Sequence, residues 1–214
     1  MKTFCDLIIS GESSRLNNFL VELNKKISGD WKRSELSEKL IINSTDDEAY
    51  CYDVKKTKKY PAAKLWLFRV GSDKLSVTNI VPEEVGELTY DEYNSILNDF
   101  YTSFVVAAAE STGVISKMSN PEITINNWLN NETVARLEKF SRAANKHTGS
   151  SHPLDEERWF DFIVSSYKSK SGLPIDILGR WLVEDGWNEE KASDLMIEYE
   201  RAIALLLFYE NKYQ

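Results

Sequence analysis

The stretch AAKLWLFRVGSDKLSVTNIVP, residues 62–82, decides the fold class of this chain. Its two halves, Ala63 to Val70 and Leu75 to Val81, are rich in β-branched and aromatic residues, which favour strands. The intervening letters GSDK supply turn chemistry, because glycine, serine and aspartate adopt tight turns readily. The stretch therefore predicts a β-hairpin whose second strand ends at Pro82.

Strand and helix patterns alternate ahead of the hairpin. Residues Phe4 to Ser10 form a short apolar run that predicts a strand. Apolar residues then recur at helical spacing from Leu16 to Ile27, which predicts an amphipathic helix. The pair Ile41 and Ile42 is interpreted as the start of a further strand, and residues 49–57 predict another.

Helical patterns dominate the sequence after the hairpin. Thr89 and Glu92 have capping-box spacing ahead of an apolar helical stripe. Residues 114–124 are interpreted as a polar connector, and four further helical patterns follow it. We predict an α+β fold, with an N-terminal, mostly antiparallel sheet carrying two amphipathic helices and a C-terminal bundle of about four helices. The predicted domains are 1–115 and 116–214, with one continuous structural unit as the alternative.

Composition restricts the class of protein. The chain has 214 residues, 42% of them hydrophobic, which is typical of a folded globular protein. It lacks an apolar run long enough to cross a bilayer and a secretion signal at its start, so a soluble, cytoplasmic protein is predicted. The two cysteines are far apart and without zinc-type spacing, which predicts buried free thiols. No nucleotide-binding, kinase or metalloprotease motif is present, and no cofactor is predicted.

The net charge of −8 disfavours nucleic acid as a partner, because an acidic surface repels phosphate. The segment 182–196 resembles a helix-turn-helix in outline, with Gly186 as a helix stop and Asn188 as the next cap. Its second helix opens with Glu189 and Glu190, which would repel DNA. A packed helical hairpin is therefore the preferred interpretation.

The segment KHTGSSHPLDEERWFDF, residues 146–162, contains both histidines of the chain. With Asp155 as N-cap, Leu154 and Trp159 have the spacing of a hydrophobic staple, so a helix boundary explains the segment. The functional alternative is a catalytic or metal site, for which the candidates are His147, His152, Asp155 and Glu156. Ser150 and Ser151 lie in no activating nucleophile frame.

A second candidate is the basic segment after the strand at residues 49–57. Its lysines suit either a solvated strand end or a contact surface for phosphate or an acidic partner, and the solvated end is preferred. The candidate contact residues are Tyr52, Lys55, Lys56, Lys58, Lys59 and Tyr60.

Three functional hypotheses follow. The first is a non-enzymatic binding or regulatory protein, such as a toxin neutraliser or an assembly subunit, that engages another protein or itself through an acidic, aromatic-rich surface. The second is a hydrolase-type enzyme with its site between His147 and Glu156. The third, a minor alternative, is nucleic-acid contact through Lys55 to Lys59.

Overall fold

The computed structural model of the chain describes residues 1–45, 48–149, 152–170 and 172–213. The chain divides into two compact units, which we call the sheet unit, residues 2–121, and the helical unit, formed by Met1 and residues 122–214. The predicted α+β class is confirmed, with an antiparallel sheet in the N-terminal half and a helical bundle in the C-terminal half. The predicted boundary between residues 115 and 116 stays a prediction about domains.

In the described part of the sheet unit, one six-stranded sheet has the order β2-β3-β4-β5-β1-β6, and all neighbours are antiparallel. Its strands are β1 (Leu7–Ser10), β2 (Trp31–Arg33), β3 (Ala49–Val54), β4 (Ala63–Arg69), β5 (Lys74–Pro82) and β6 (Ile115–Met118). The predicted hairpin is the β4–β5 pair at the centre of this sheet, with one irregularity in register between Trp66 and Leu67.

The helices of the sheet unit are α1 (Ser13–Lys26), α2 (Glu35–Thr45), α3 (Tyr90–Phe100) and α4 (Val106–Thr112), and a π-helical turn (Tyr101–Val105) joins the last two. Side chains from α1, α3 and α4 share one buried core with alternate residues of the strands. The predicted capping box is confirmed, because the Glu92 N–H donates to Thr89 Oγ1 at 3.3 Å and the Thr89 N–H donates to the Glu92 carboxylate at 2.9 Å.

Two local predictions are wrong. Ile41 and Ile42 lie within α2 and do not begin a strand, because the helix starts after Ser34 with Glu35 and Glu38 in its first turn, where the helix dipole favours acids. Residues Ile115–Met118, interpreted as a connector, form β6 along the outer edge of β1. A strand of four partly exposed residues has little local pattern, and its distant partner supplies the backbone hydrogen bonds.

The helical unit contains α5 (Asn131–Ala143), α6 (Pro153–Lys168), α7 (Ile175–Glu184) and α8 (Glu189–Tyr213), preceded by a 3₁₀ turn (Ile125–Asn127). Its core is aromatic at the centre, where rings from three of the helices and one turn meet in contacts of 4.8 to 5.7 Å between centroids. These rings belong to Phe140, Trp159, Phe162, Trp187 and Tyr199. Within the described ranges, no helix is long and apolar enough to span a membrane.

The predicted turn between α7 and α8 is confirmed. Gly186 follows α7 with φ of +93°, a left-handed conformation that glycine adopts without steric cost. The Asn188 side chain accepts the Glu190 N–H at 2.9 Å, as an N-cap does. The two free cysteines, Cys5 and Cys51, are both buried as predicted.

Candidate functional site

The residues ahead of α6 form a turn held by Asn145. The Asn145 side-chain oxygen accepts the backbone N–H groups of His147 at 3.0 Å and Thr148 at 3.1 Å. The Gly149 N–H donates to the Asn145 carbonyl at 2.9 Å, while the imidazole of His147 is exposed. Local hydrogen bonding from Asn145, and not the histidine side chain, therefore accounts for the order of this turn. Ser150 and Ser151 lie outside the described residues.

His152 is the N-cap of α6. Its Nδ1 accepts the Leu154 N–H at 3.2 Å, Pro153 occupies the first helical position, and the Asp155 N–H donates to the His152 carbonyl at 2.8 Å. The prediction that Asp155 caps this helix is wrong, and with it the staple between Leu154 and Trp159. Because Pro153 occupies the first helical position, α6 begins about one turn earlier than a cap at Asp155 would place it.

The acids of this segment are engaged with their own helix. Asp155 is buried, and its carboxylate lies 2.6 Å from Arg158 Nη1 one turn later. Glu156 is exposed in the first turn. Across the described ranges, no group of three or more His, Cys, Asp or Glu side chains could hold a metal ion. The catalytic and metal hypotheses for His147, His152, Asp155 and Glu156 stay predictions.

We expect the replacement His152→Ala to lower the free energy of unfolding by about 0.5 to 1 kcal/mol, because the Leu154 N–H loses its acceptor. His147→Ala removes an exposed ring and is expected to change the free energy by less than about 0.5 kcal/mol. Chemical denaturation of both variants measures the difference. Equal effects at the two positions would contradict a capping role for His152.

A network that local patterns did not reveal connects this turn to the end of α7. Lys146 Nζ donates to the Asp185 carboxylate at 2.8 Å, Ser141 Oγ donates to the same carboxylate, and Trp187 Nε1 donates to Ser141 Oγ at 2.6 Å. Partial desolvation raises the pKa of Asp185, but hydrogen bonds from Lys146 and Ser141 lower it overall. Ser141 is only 1% exposed, so this serine stabilises the bundle and is not placed as a nucleophile.

The lysine segment lies at the end of β3 as a hydrogen-bonded turn. The Thr57 N–H donates to the Tyr60 carbonyl at 2.9 Å, and Thr57 Oγ1 accepts the Lys59 N–H at 3.1 Å. Lys55 Nζ lies 3.8 Å from the carboxylate of Asp30. All four lysines, Lys55, Lys56, Lys58 and Lys59, are exposed. Their role in contacting phosphate or an acidic partner stays a prediction.

The two tyrosines predicted beside these lysines are in the core, which corrects their place on a contact surface. Tyr52 is fully buried, and its hydroxyl donates to Asn24 Oδ1 at 3.0 Å. The Tyr60 hydroxyl donates to Asp99 Oδ2 at 2.9 Å, and burial together with this bond raises the pKa of Tyr60 to about 12. Sequence alternation cannot show that Tyr60, in the loop between β3 and β4, turns inward to reach a carboxylate of α3.

A groove of about 740 Å³ opens in the sheet unit where β1 and β5 separate. The two strands pair only from Leu7, which lies opposite Val77. Upstream of Leu7, the Cys5 N–H donates to Asn94 Oδ1 at 2.8 Å and the Asp6 N–H donates to Ser119 Oγ at 2.8 Å. These bonds draw residues 4–6 away from β5, so the Pro82 half of β5 lines an open channel.

The groove combines aromatic walls with an acidic rim. The Phe4 ring lies 4.4 Å from that of Tyr90 and 4.8 Å from that of Tyr93, between centroids, and 46% of Phe4 is exposed. Residues 82–92 contain five acids and no lysine or arginine. Burial, with the negative charge of Asp6 as the second cause, raises the pKa of Tyr93 to about 12, so this tyrosine is neutral at physiological pH.

Comparison of the chain with protein-family models, curated proteins and solved structures found no match. The groove is a site that sequence reasoning missed, because residues 4–6 and 78–82 are brought together only by the pairing of β1 with β5. One signal in the sequence pointed to it, because the acids between Glu83 and Glu92 have no basic neighbour in sequence. The predicted strand from Phe4 begins only at Leu7, which leaves Phe4 outside β1.

Proposed function

We propose that this chain is a non-enzymatic binding protein that recognises a basic segment of a partner protein in the groove between β1 and β5. The observation that carries this proposal is the coincidence of an open aromatic channel with an acidic rim. Exposed apolar side chains supply contact area, and the carboxylates select the charge of the partner.

Charge supports a basic partner in particular. Two carboxylates line the groove, those of Asp6 and Glu87, and neither has a cation within 4.0 Å among the described residues. Of the nearby acids, Asp91 pairs with Lys2 at 2.6 Å and Glu92 serves the helix cap. Asp6 and Glu87 can therefore attract a lysine or arginine of a partner.

Shape supports an extended or loop segment of the partner. The channel runs along the Pro82 half of β5, and its walls include Phe4, Ile80, Leu88 and Tyr93. Val81 is 41% exposed at its edge. A segment that places an apolar side chain in the channel and basic residues over the rim would satisfy both surfaces.

The test is selection of peptides from a random library on the immobilised full chain, followed by calorimetric titration of the selected peptides. We expect enrichment of lysine and arginine beside an apolar residue. The double variant Asp6→Asn with Glu87→Gln is expected to bind the same peptides about tenfold more weakly, because two rim charges are lost without a change in side-chain size.

The matched control neutralises two acids elsewhere in the sheet unit, Glu12→Gln with Glu110→Gln. It is expected to bind within about twofold of the original chain, because neither carboxylate lines the groove. Peptides without basic enrichment, or equal losses in the two double variants, would overturn the assignment of the groove. Retained helicity by circular dichroism establishes that each variant is folded.

A further inference from the structure

The buried residues of α8 all lie in its first half, and the second half is only partly buried. The helix has 25 residues, about 37 Å at 1.5 Å per residue. Its buried residues among those described are Ala192, Leu195 and Tyr199. Residues 202–209 have the sequence AIALLLFY, which is apolar around the whole circumference. Helix segments that are apolar on all sides are typically covered by other parts of a protein on several sides.

Two lines of side chains with heptad spacing run along α8, and we call them the inner seam and the outer seam. The inner seam, Leu195, Tyr199, Ala202 and Leu206, packs against the core of the helical unit. The outer seam repeats the same alternation of three and four residues and consists of Glu198, Arg201, Leu205, Phe208 and Lys212. At its centre, Leu205 is 67% and Phe208 is 56% exposed. The outer seam thus has an apolar centre with charges at both ends.

The charges of the outer seam have no opposite partner among the described residues. Glu198 has no cation within 4.0 Å, and Arg201 and Lys212 have no carboxylate within that distance. Lys212 Nζ lies over the ring of Phe208 at 5.2 Å and that of Tyr213 at 5.6 Å. Partial desolvation raises the pKa of Glu198; a hydrogen bond from Trp159 opposes this, and the charge of Glu156 adds a smaller increase, so a cation would stabilise the carboxylate.

We propose that the outer seam of α8 is the contact surface of an antiparallel homodimer. In this dimer, Leu205 and Phe208 of one copy pack against Leu205 and Phe208 of the other. Glu198 and Lys212 each lie seven residues from Leu205, in opposite directions. An antiparallel pair centred on Leu205 therefore places Glu198 of each copy opposite Lys212 of the other. A parallel pair would place like charges together, which is unfavourable.

The symmetry of this arrangement makes the surface self-complementary. A twofold axis at Leu205 gives both copies the same contacts, as in closed dimers generally. The surface lies in the helical unit and the proposed peptide groove lies in the sheet unit. The dimer is therefore independent of the proposed function, and either can fail without the other.

Sedimentation equilibrium of the full chain measures the dimer. We expect a mass twice that of one chain at roughly 0.1 mM, and Leu205→Glu is expected to weaken the association at least tenfold, because it places two carboxylates at the axis. Leu207→Glu is the matched control, since Leu207 lies on another side of the same helix, and it is expected to change the dissociation constant less than about threefold. A chain that remains monomeric up to roughly 0.5 mM overturns the proposal.

Cross-linking locates the axis. Leu205→Cys is expected to give a disulfide-linked dimer under mild oxidation, because two cysteines at a twofold axis approach within bonding reach. Leu207→Cys is expected to remain monomeric on a non-reducing gel. The two natural cysteines are buried, so they do not compete in the folded chain. Equal cross-linking at the two positions would overturn the proposed face.

Charge exchange establishes the orientation. Lys212→Glu alone is expected to weaken the dimer roughly tenfold, and the combination of Glu198→Lys with Lys212→Glu is expected to restore the original dissociation constant within about threefold. Restoration requires that residues 198 and 212 face each other between copies. If the double variant is as weak as the single one, the antiparallel pairing is wrong. Binding of the monomer to anionic vesicles in place of dimerisation would identify a membrane surface as the occupant and also overturn it.

Discussion

Trp159→Ala is expected to lower the free energy of unfolding of the helical unit by about 4 kcal/mol, because it removes the largest fully buried side chain and leaves a cavity. The Trp159 ring lies 4.8 Å from that of Phe140 and 5.2 Å from that of Phe162, between centroids. Phe140 lies on α5, and Phe162 lies on α6 together with Trp159. Both neighbours are fully buried, so they have little freedom to fill the space. Amide hydrogen exchange followed by mass spectrometry measures the loss, as faster exchange across α5 to α8.

The adjacent residue provides the control for this prediction. Phe160 is 51% exposed, and Phe160→Ala is expected to cost less than about 1 kcal/mol. Exchange in the sheet unit should be unchanged in both variants, because Trp159 belongs to the core of the helical unit alone. A small effect of Trp159→Ala, or an effect equal to that of Phe160→Ala, would contradict the central place of Trp159 in this core.

Glu38→Ala is expected to lower the free energy of unfolding of the sheet unit by about 3 kcal/mol, because it removes the acceptor for three donors at once. The Glu38 carboxylate accepts Arg33 Nε at 2.9 Å, Arg33 Nη2 at 2.8 Å and the Cys51 N–H at 3.0 Å. Its side chain is only 6% exposed. The variant leaves a guanidinium and a buried N–H without their partner beside β3. Urea denaturation measures the change.

Two substitutions test whether burial is the cause. Glu22→Ala removes an exposed ion pair, in which Lys25 lies 2.7 Å away one turn later, and is expected to cost less than about 0.5 kcal/mol. Glu38→Gln keeps one acceptor oxygen and is expected to fall between Glu38→Ala and the original chain. If Glu38→Ala costs no more than Glu22→Ala, the three hydrogen bonds do not stabilise the fold as described.

The same glutamate shows where local patterns end. Glu38 lies three residues before Ile41, where the sequence predicts a strand. Glu38 is in α2, and its carboxylate closes a hydrogen-bond network with Arg33 of β2 and the backbone of β3. Neither partner is marked as such in sequence. The ion pair between Arg33 and Glu38 is a feature of the tertiary structure, since it depends on where the backbones of β2 and β3 lie.

The histidine segment shows a different limit. Its interpretation as a helix boundary is confirmed, but the cap is His152 and not Asp155. Several cap positions satisfy the same residue pattern, and the observed one is selected by the start of α6 at Pro153. The candidate groove shows the limit for function, because its walls come from residues more than 70 positions apart in sequence.

The sequence by itself determined the α+β class, the central hairpin, the capped helix α3 and the C-terminal bundle of helices, because these depend on the period of apolar residues and on turn and cap residues close in the chain. Tertiary structure alone decided the edge strand β6, the inward turn of Tyr52 and Tyr60, the groove between β1 and β5, and the exposed outer seam of α8. The physical reason is the same in each case. Backbone pairing, burial and charge complementarity join residues distant in sequence, and no local period records which of them meet.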